Sequence, residues 1–295
     1  MKYIYRLIVA ALFVTVSATS FYSCETVEME LLASPNALSS DQADPDLLLN
    51  SIQLSYRGSQ RTFSNNSGDL GRISYMGGRQ YLDNYGDGTL NGAWNSFYSN
   101  NQPNLLAFEQ ISEANPDRDL SYHLGVAKTL QAHTLMQLVD YLGDIPWSEA
   151  NNSAEFPKPS VDDDESVYDA AIAYLSEAAG HFASGAGIGT GTDFFYDGDA
   201  GKWSKLVKTL QMRANLTVGN YAAVASATGV IESTADDFQF DYGTNVLSPD
   251  NRHPAYASDY DNSGAIIYQS NWLMKTMVGQ YRDLSSDTDP RRRYY

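Results

Sequence analysis

The fold of this chain is decided by residues 120–147, which read LSYHLGVAKTLQAHTLMQLVDYLGDIPW. Apolar residues recur there at helical intervals and mark one face of an α-helix. They are Leu120, Leu124, Ala127, Leu135, Leu138 and Leu142. The pattern predicts one long helix that ends near Gly143.

Two further helical segments are predicted upstream. The first opens at Asp44 and Pro45, because proline is tolerated in the first helical turn, and is expected to end at Gly58. The second has Trp94, Phe97, Tyr98, Asn101, Leu105, Phe108 and Ser112 at helical spacing. Pro103 lies between its two halves, so this segment is either one kinked helix or two helices.

Two more helices are predicted downstream. Asp162 and Glu165 have the spacing of a capping box at the start of the first. Its apolar stripe comprises Val167, Ala171, Tyr174, Leu175, Ala178 and Phe182, and that of the second comprises Trp203, Leu206, Val207, Leu210, Ala214, Thr217 and Tyr221. Helices in sequential pairs predict a mostly α fold of solenoid-like or bundle type, with long irregular loops and minor β structure.

Residues 62–92 lack the helical periodicity of these segments, because glycines are interspersed there with Asn, Asp, Arg and Tyr. We expect a long loop with short strands, and compact domains seldom keep such a loop without a use. Sugars are recognised by aromatic faces together with side chains that bond to their hydroxyls. The candidate ligand-binding residues are Arg72, Tyr75, Arg79, Tyr81, Asp83, Asn84 and Tyr85. Alternatively, these residues only pack and cap the loop.

Residues 1–23 have the order of a secretory signal peptide, with basic Lys2 and Arg6, an apolar stretch at 7–16 and small residues before Cys24. The apolar stretch is too short to span a bilayer. A cysteine in this position can carry several acyl chains, which hold a protein firmly on a membrane. We therefore expect lipidation at Cys24, a tether over residues 24–42 and no other contact with the membrane. A plain secretory signal with an incidental cysteine is the alternative.

Composition and motifs argue against several functions. The formal charge of −17 repels nucleic acids, and the single cysteine cannot form a disulfide within the chain. The sequence contains no metalloprotease, phosphate-loop or serine-hydrolase motif, so no cofactor or metal is expected. Asp259, Asp261 and Gly264 match the opening of a calcium loop, but Ser270 stands where a bidentate Glu is needed. A polar turn is the preferred interpretation there.

The sequence resembles the SusD/RagB-like outer-membrane lipoproteins of Bacteroidetes. Residues 127–147 are similar to that family's long helix and its "YGDIPL"-type corner, although Lys128 and Thr129 replace the more usual Glu and Arg. Residues 94–104, 157–178 and 203–214 agree with the family in order and spacing. The closing Asp289-Pro290-Arg291 resembles a "DPR" turn near the middle of members. The domain over residues 43–295 is therefore expected to be incomplete at its C-terminus.

The resemblance implies TPR-like helix pairs that support ligand-contacting loops. It also implies a SusC-like TonB-dependent transporter as partner, and an outer-membrane location facing the exterior, for which Glu25, Glu28 and Glu30 resemble the sorting signal. The expected function is capture of oligosaccharide and its delivery to that transporter, without catalysis. A peptide-binding RagB-like lipoprotein and a lipid-anchored glycoside hydrolase stay open as alternatives.

Overall fold

The computed structural model describes residues 2–3, 44–75, 85–184, 192–262, 264, 267–279 and 289–294. The chain divides into two compact units, Met1–Gln42 and Ala43–Tyr295. The expected lipidation site Cys24 and the tether lie outside the described residues, as does the expected signal peptide apart from residues 2–3.

The described part of the second unit is mostly helical, as the sequence predicted. Helix α1 spans Pro45–Leu70, α2 Asn91–Ser96, α3 Gln102–Ala114, α4 Ser121–Leu142, α5 Asp164–Ala183, α6 Ala200–Thr217, α7 Tyr221–Ser226 and α8 Asn271–Met277. Single π-helical turns lie at Phe97–Asn101 and Tyr256–Asp261, and 3-10 turns lie at Thr234–Asp236 and Pro290–Tyr294. Within these ranges β structure is limited to two isolated bridges, Ser74–Gln269 and Ile145–Asp162.

Helix α4 is the centre of the fold and packs against α1, α3, α5 and α6. Most of its residues are buried, because apolar side chains cover most of its circumference rather than a single stripe. The most deeply buried apolar residues are Val126, Ala127, Leu130, Ala132, Leu135, Met136 and Leu138. The predicted long helix is confirmed, and it ends at Gly143, whose φ of 73° favours glycine.

Gly125 lets α4 and α5 approach each other closely. A Cβ atom at this position would lie 2.7 Å from Cζ of Phe182, well inside van der Waals contact. The Phe182 ring also stacks with that of Trp203 on α6, with ring centroids 6.2 Å apart. Glycine inside a helix costs about 1 kcal/mol relative to alanine, and the burial of the phenyl ring offsets that cost.

Lys128 joins three helices through an ion cluster. Its side chain is only 6% exposed, and Nζ donates to Glu109 on α3 and, at 2.6 Å, to Glu177 on α5. Nζ also lies 4.9 Å from the ring centroid of Tyr174. A buried cation needs such partners because its desolvation is costly. The lysine that departs from the family pattern therefore has a structural role.

Helix α1 does not end at Gly58, and this prediction was wrong. The helix continues to Leu70, so residues 62–70 are helical rather than part of the predicted loop. Ser59 and Phe63 continue the buried face of Ile52 and Tyr56 beyond the glycine. Burying a phenyl ring stabilises by about 1.5–3 kcal/mol, which exceeds the cost of about 1 kcal/mol for one helical glycine.

The predicted capping box of Asp162 and Glu165 was wrong, because the N-cap lies one residue later and Ser166 rather than Glu165 is three positions beyond it. Asp163 is the N-cap of α5, and its carboxylate accepts from the backbone N–H of Glu165 at 3.1 Å. Asp162 instead accepts from the N–H groups of Trp147 and Ser148 at 2.7 and 3.0 Å, and from the Ser148 hydroxyl at 2.6 Å. Although desolvation raises it, these bonds hold the pKa of Asp162 below its usual range. Asp162 thereby ties the start of α5 to the connector from α4.

The end of α6 differs from the prediction, and the segment around Pro103 decides between one kinked helix and two helices. Tyr221 does not extend the α6 stripe, because the chain turns at Gly219 and Asn220 caps the separate helix α7. Around Pro103 the backbone stays helical from α2 through the π turn into α3, which corresponds to the kinked-helix alternative. None of the helices in the described ranges is long and apolar enough to cross a membrane.

Candidate ligand-binding site

The chain reverses direction after α1 and pairs with a distant segment. The backbone N–H of Gly71 donates to Ser67 O, and those of Ile73 and Ser74 both donate to Gly68 O. Arg72 adopts a φ of 55°, a left-handed conformation that few residues other than glycine adopt. This turn places residues 73–75 beside residues 268–270.

The antiparallel bridge between Ser74 and Gln269 places two tyrosines opposite each other. Tyr75 N–H donates to Tyr268 O at 2.7 Å, and Ser270 N–H donates to Ile73 O at 3.0 Å. In this arrangement Tyr75 and Tyr268 are cross-strand neighbours, and neighbours of this kind lie on the same side of the bridge. Their backbone positions are therefore fixed although the segments are far apart in sequence.

Tyr75, Tyr268 and Trp272 form what we call the aromatic patch. Their side chains are 55%, 57% and 41% exposed. Trp272 lies in the first turn of α8, whose N-cap Ser270 accepts from the Trp272 N–H at 3.1 Å. Ile73 and Ile267 beside the patch are also about half exposed. Large exposed apolar groups that cluster in this way commonly mark a surface for binding.

A polar cleft lies on the last turns of α1, next to the turn that carries Tyr75. It encloses about 250 Å³ between α1, α4 and α6 and is lined by Gln60, Phe63, Ser64, Ser67, Gln137, Asp140, Tyr141 and Arg213. Gln60 and Gln137 exchange reciprocal amide hydrogen bonds of 2.6 and 3.0 Å. The hydroxyls of Ser67 and Tyr141 are hydrogen-bonded, and Tyr141 stacks on Phe63 with centroids 5.2 Å apart.

His133 lies beside the cleft in a defined protonation state. Arg213 donates from Nη1 to His133 Nε2 at 3.3 Å, so Nε2 is the unprotonated nitrogen. Nδ1 then carries the proton and donates to the Tyr56 hydroxyl at 2.7 Å. Desolvation, followed by the Arg213 charge, lowers the pKa of His133 to about 3. Arg213 also lies 3.6 Å from Asp140, whose pKa burial raises.

The structure describes three of the predicted ligand-binding residues. Tyr75 lies in the aromatic patch, and the exposed Arg72 lies in the turn that leads to it. Tyr85 is partly buried just before the turn into α2. Arg79, Tyr81, Asp83 and Asn84 lie outside the described residues.

Sequence reasoning missed Tyr268 and Trp272. No local pattern marks them, because their proximity to Tyr75 depends on the bridge between Ser74 and Gln269. The local sequence indicates only the start of the helix that contains Trp272, because Ser270 is a preferred N-cap residue. The residues of the polar cleft were also missed, because they come from three separate helices.

Among the described residues, one group of side chains has the donors to hold a metal ion. The exposed carboxylates of Asp144, Asp163 and Asp164 have oxygens within 4.8 Å of one another. Oxygen donors of this type suit Ca²⁺ or Mg²⁺. Asp144 already accepts from the Asp164 N–H at 3.1 Å, which gives the cluster a role in starting α5. At the suspected calcium loop, Asp261 instead binds Arg252 and Asp259 accepts from the Ser258 hydroxyl.

Solved structures resemble this fold. A SusD/RagB family protein from Bacteroides thetaiotaomicron has a TM-score of 0.67 and 22% identity, covering 80% of this chain and 52% of its own. A chitin-binding protein has a TM-score of 0.63 and 23% identity, covering 85% and 54%. A SusD-like protein from Bacteroides thetaiotaomicron has a TM-score of 0.60 and 20% identity, covering 85% and 53%. The chain thus spans about half the length of these proteins.

A family model matches the sequence over residues 35–295, which include all of the described helices. Its description is starch-binding, associating with the outer membrane. No curated protein matches this sequence. The family match confirms the resemblance on which the sequence analysis relied: this chain belongs to the SusD-like family of starch-binding proteins associating with the outer membrane.

Proposed function

We propose that this chain binds a neutral oligosaccharide on the aromatic patch and does not catalyse its conversion. The observation that carries the proposal is the backbone bridge that places the exposed Tyr75 and Tyr268 opposite each other, with the exposed Trp272 two residues beyond Ser270. The flat faces of such rings match the C–H faces of sugar rings. The family description supports this ligand class.

Charge supports a neutral rather than an anionic glycan. The chain carries a formal charge of −17, so sulfated or uronic-acid polymers are repelled from most of its surface. The turn beside the patch contributes Arg72, which is exposed and suited to bond with hydroxyls. Starch-type and chitin-type oligosaccharides, both neutral, are therefore the first ligands to test.

The wider function follows from the family and the N-terminal sequence. A signal peptide over residues 1–23 and lipidation at Cys24 would anchor the domain at the outer membrane, with residues 24–42 as tether. Captured oligosaccharide would then pass to a SusC-like TonB-dependent transporter. The anchor, the outward orientation and this partner are parts of the proposal.

The test is isothermal titration with maltooligosaccharides and chitooligosaccharides, comparing the parent with Tyr75→Ala/Trp272→Ala. Truncating one central aromatic contact commonly costs more than about 1 kcal/mol, and the variant loses two such contacts, so we expect affinity to fall at least about tenfold. Tyr221→Ala is the matched control, because Tyr221 is 69% exposed on the separate helix α7. This control should bind like the parent.

Equal binding by the parent and the double variant would refute the patch as the site. Binding of a peptide mixture in place of every glycan would favour the RagB-like alternative. The appearance of shorter oligosaccharides during the titration would instead indicate a glycoside hydrolase.

A further inference from the structure

Residues 237–242, DFQFDY, form an extended segment that we call the edge segment. It follows the 3-10 turn Thr234–Asp236 and begins at Asp237 with φ −57° and ψ 134°. Burial alternates along it: Phe238, Phe240 and Tyr242 are partly buried, whereas Asp237, Gln239 and Asp241 are exposed. A period of two is that of a β-strand with one face on the core.

Aromatic contacts hold the inner face of the edge segment in place. Phe238 stacks on Phe195 with ring centroids 4.4 Å apart and an interplanar angle of 21°. Phe240 meets Phe195 edge-on at 5.6 Å. The guanidinium of Arg57 on α1 lies 5.7 Å from the ring centroids of both Phe240 and Tyr242. The backbone of the segment is therefore fixed by its side chains rather than by a neighbouring strand.

The backbone of the edge segment is unpaired. Within the part of the chain that the structure describes, the amide N–H groups of residues 238–242 and the carbonyl groups of residues 237–242 bond to no other protein group. An extended backbone with a row of unpaired donors and acceptors is a template for another strand. The N–H groups of Gln239 and Asp241 point to one edge, because successive amides alternate along a strand.

Charge selects the kind of strand that can pair. Antiparallel pairing of two copies of this chain about Gln239 would place Asp237 opposite Asp241, and like charges in this arrangement are destabilising. The total charge of −17 adds to that repulsion. A strand with lysine or arginine opposite these two aspartates is instead stabilised by attraction between opposite charges.

We infer that the edge segment docks an extended strand of a partner protein that carries Lys or Arg at alternate positions. A strand already ordered in a folded partner loses less conformational entropy on docking than a short peptide in solution does. The polar cleft is lined by residues of α1, α4 and α6 and not by the edge segment. The inference is independent of glycan binding.

A disulfide-closed β-hairpin peptide serves as the probe, with lysine at the alternate outward positions of one strand. Its twin carries glutamate at the same positions. Binding to the full chain is measured by fluorescence anisotropy, and amide hydrogen exchange of residues 238–242 is followed by mass spectrometry. We expect the lysine hairpin to bind at least tenfold more tightly than the glutamate hairpin and to slow exchange in the edge segment.

Two variants separate backbone pairing from charge. Gln239→Pro removes one N–H from an exposed position and should reduce lysine-hairpin affinity at least tenfold, whereas Gln239→Val keeps the N–H and should bind like the parent. Asp237→Lys/Asp241→Lys should reverse the preference between the two hairpins. Circular dichroism confirms that each variant is folded. Equal affinity for both hairpins, failure of the lysine hairpin to bind, or unchanged binding by Gln239→Pro would overturn the inference.

Discussion

Mild acidification tests the hydrogen-bonded histidine beside the polar cleft. Desolvation and the Arg213 charge lower the pKa of His133 to about 3 in the folded chain, against 6.5 for an ordinary histidine. Between these values the unfolded chain takes up a proton that the folded chain does not. The contribution of His133 to the free energy of unfolding is therefore constant well above pH 6.5 and falls as the pH drops from 6.5 towards 3.

The magnitude follows from proton linkage. Lowering the pH from about 7.5 to about 5.5 removes up to about 1.4 kcal/mol of unfolding free energy through His133 alone. Carboxylates titrate mainly at lower pH, but burial also lowers the pKa of His181, so the contribution of His133 is isolated by comparison with a variant at that position. The variant His133→Gln keeps one donor and one acceptor but does not titrate, and its unfolding free energy should therefore change less over the same interval.

The assay is urea unfolding, followed by circular dichroism, of the parent and His133→Gln at both pH values. The parent should lose about 1 kcal/mol more than the variant on acidification. If parent and His133→Gln lose the same free energy, the assigned protonation state is wrong.

The remaining predictions concern packing, the ion cluster and the anchor. Gly125→Ala places a Cβ 2.7 Å from Phe182 and should lower the free energy of unfolding by about 1–3 kcal/mol in urea titrations; an unchanged value would contradict the close helix approach. Glu109→Gln/Glu177→Gln leaves Lys128 buried without a charged partner and should destabilise by about 3 kcal/mol, more than Lys128→Met does; the reverse order would refute the cluster. Cys24→Ser should move the protein from the membrane fraction to the soluble fraction, and unchanged membrane association would remove the anchor.

The helices could be predicted where burial is local in sequence. The face of α4 contains enough apolar residues to determine a helix by itself, and Gly143 marks its end. The predicted end of α1 at Gly58 was wrong, because α1 is stabilised beyond this glycine by the tertiary burial of Phe63, which the local sequence does not show. The predicted cap at Asp162 was wrong for a related reason: Asp162 accepts hydrogen bonds from Trp147 and Ser148, in a segment about 15 residues earlier.

The candidate site was predictable only in part. Tyr75 stood out because it lies in a glycine-rich stretch that lacks helical periodicity. Tyr268 and Trp272 could not be assigned, because a single bridge between Ser74 and Gln269 brings two distant segments together and leaves no periodic pattern. Arg213 and His133 likewise meet across α4 and α6, and helical spacing identifies only the face on which each residue lies.

The most direct test of the proposed function is a crystal structure of the chain soaked with a neutral oligosaccharide such as maltoheptaose. We expect a sugar ring stacked on Tyr75, Tyr268 or Trp272, with Arg72 close to its hydroxyls. An oligosaccharide bound in the polar cleft, or elsewhere away from these three rings, would contradict it.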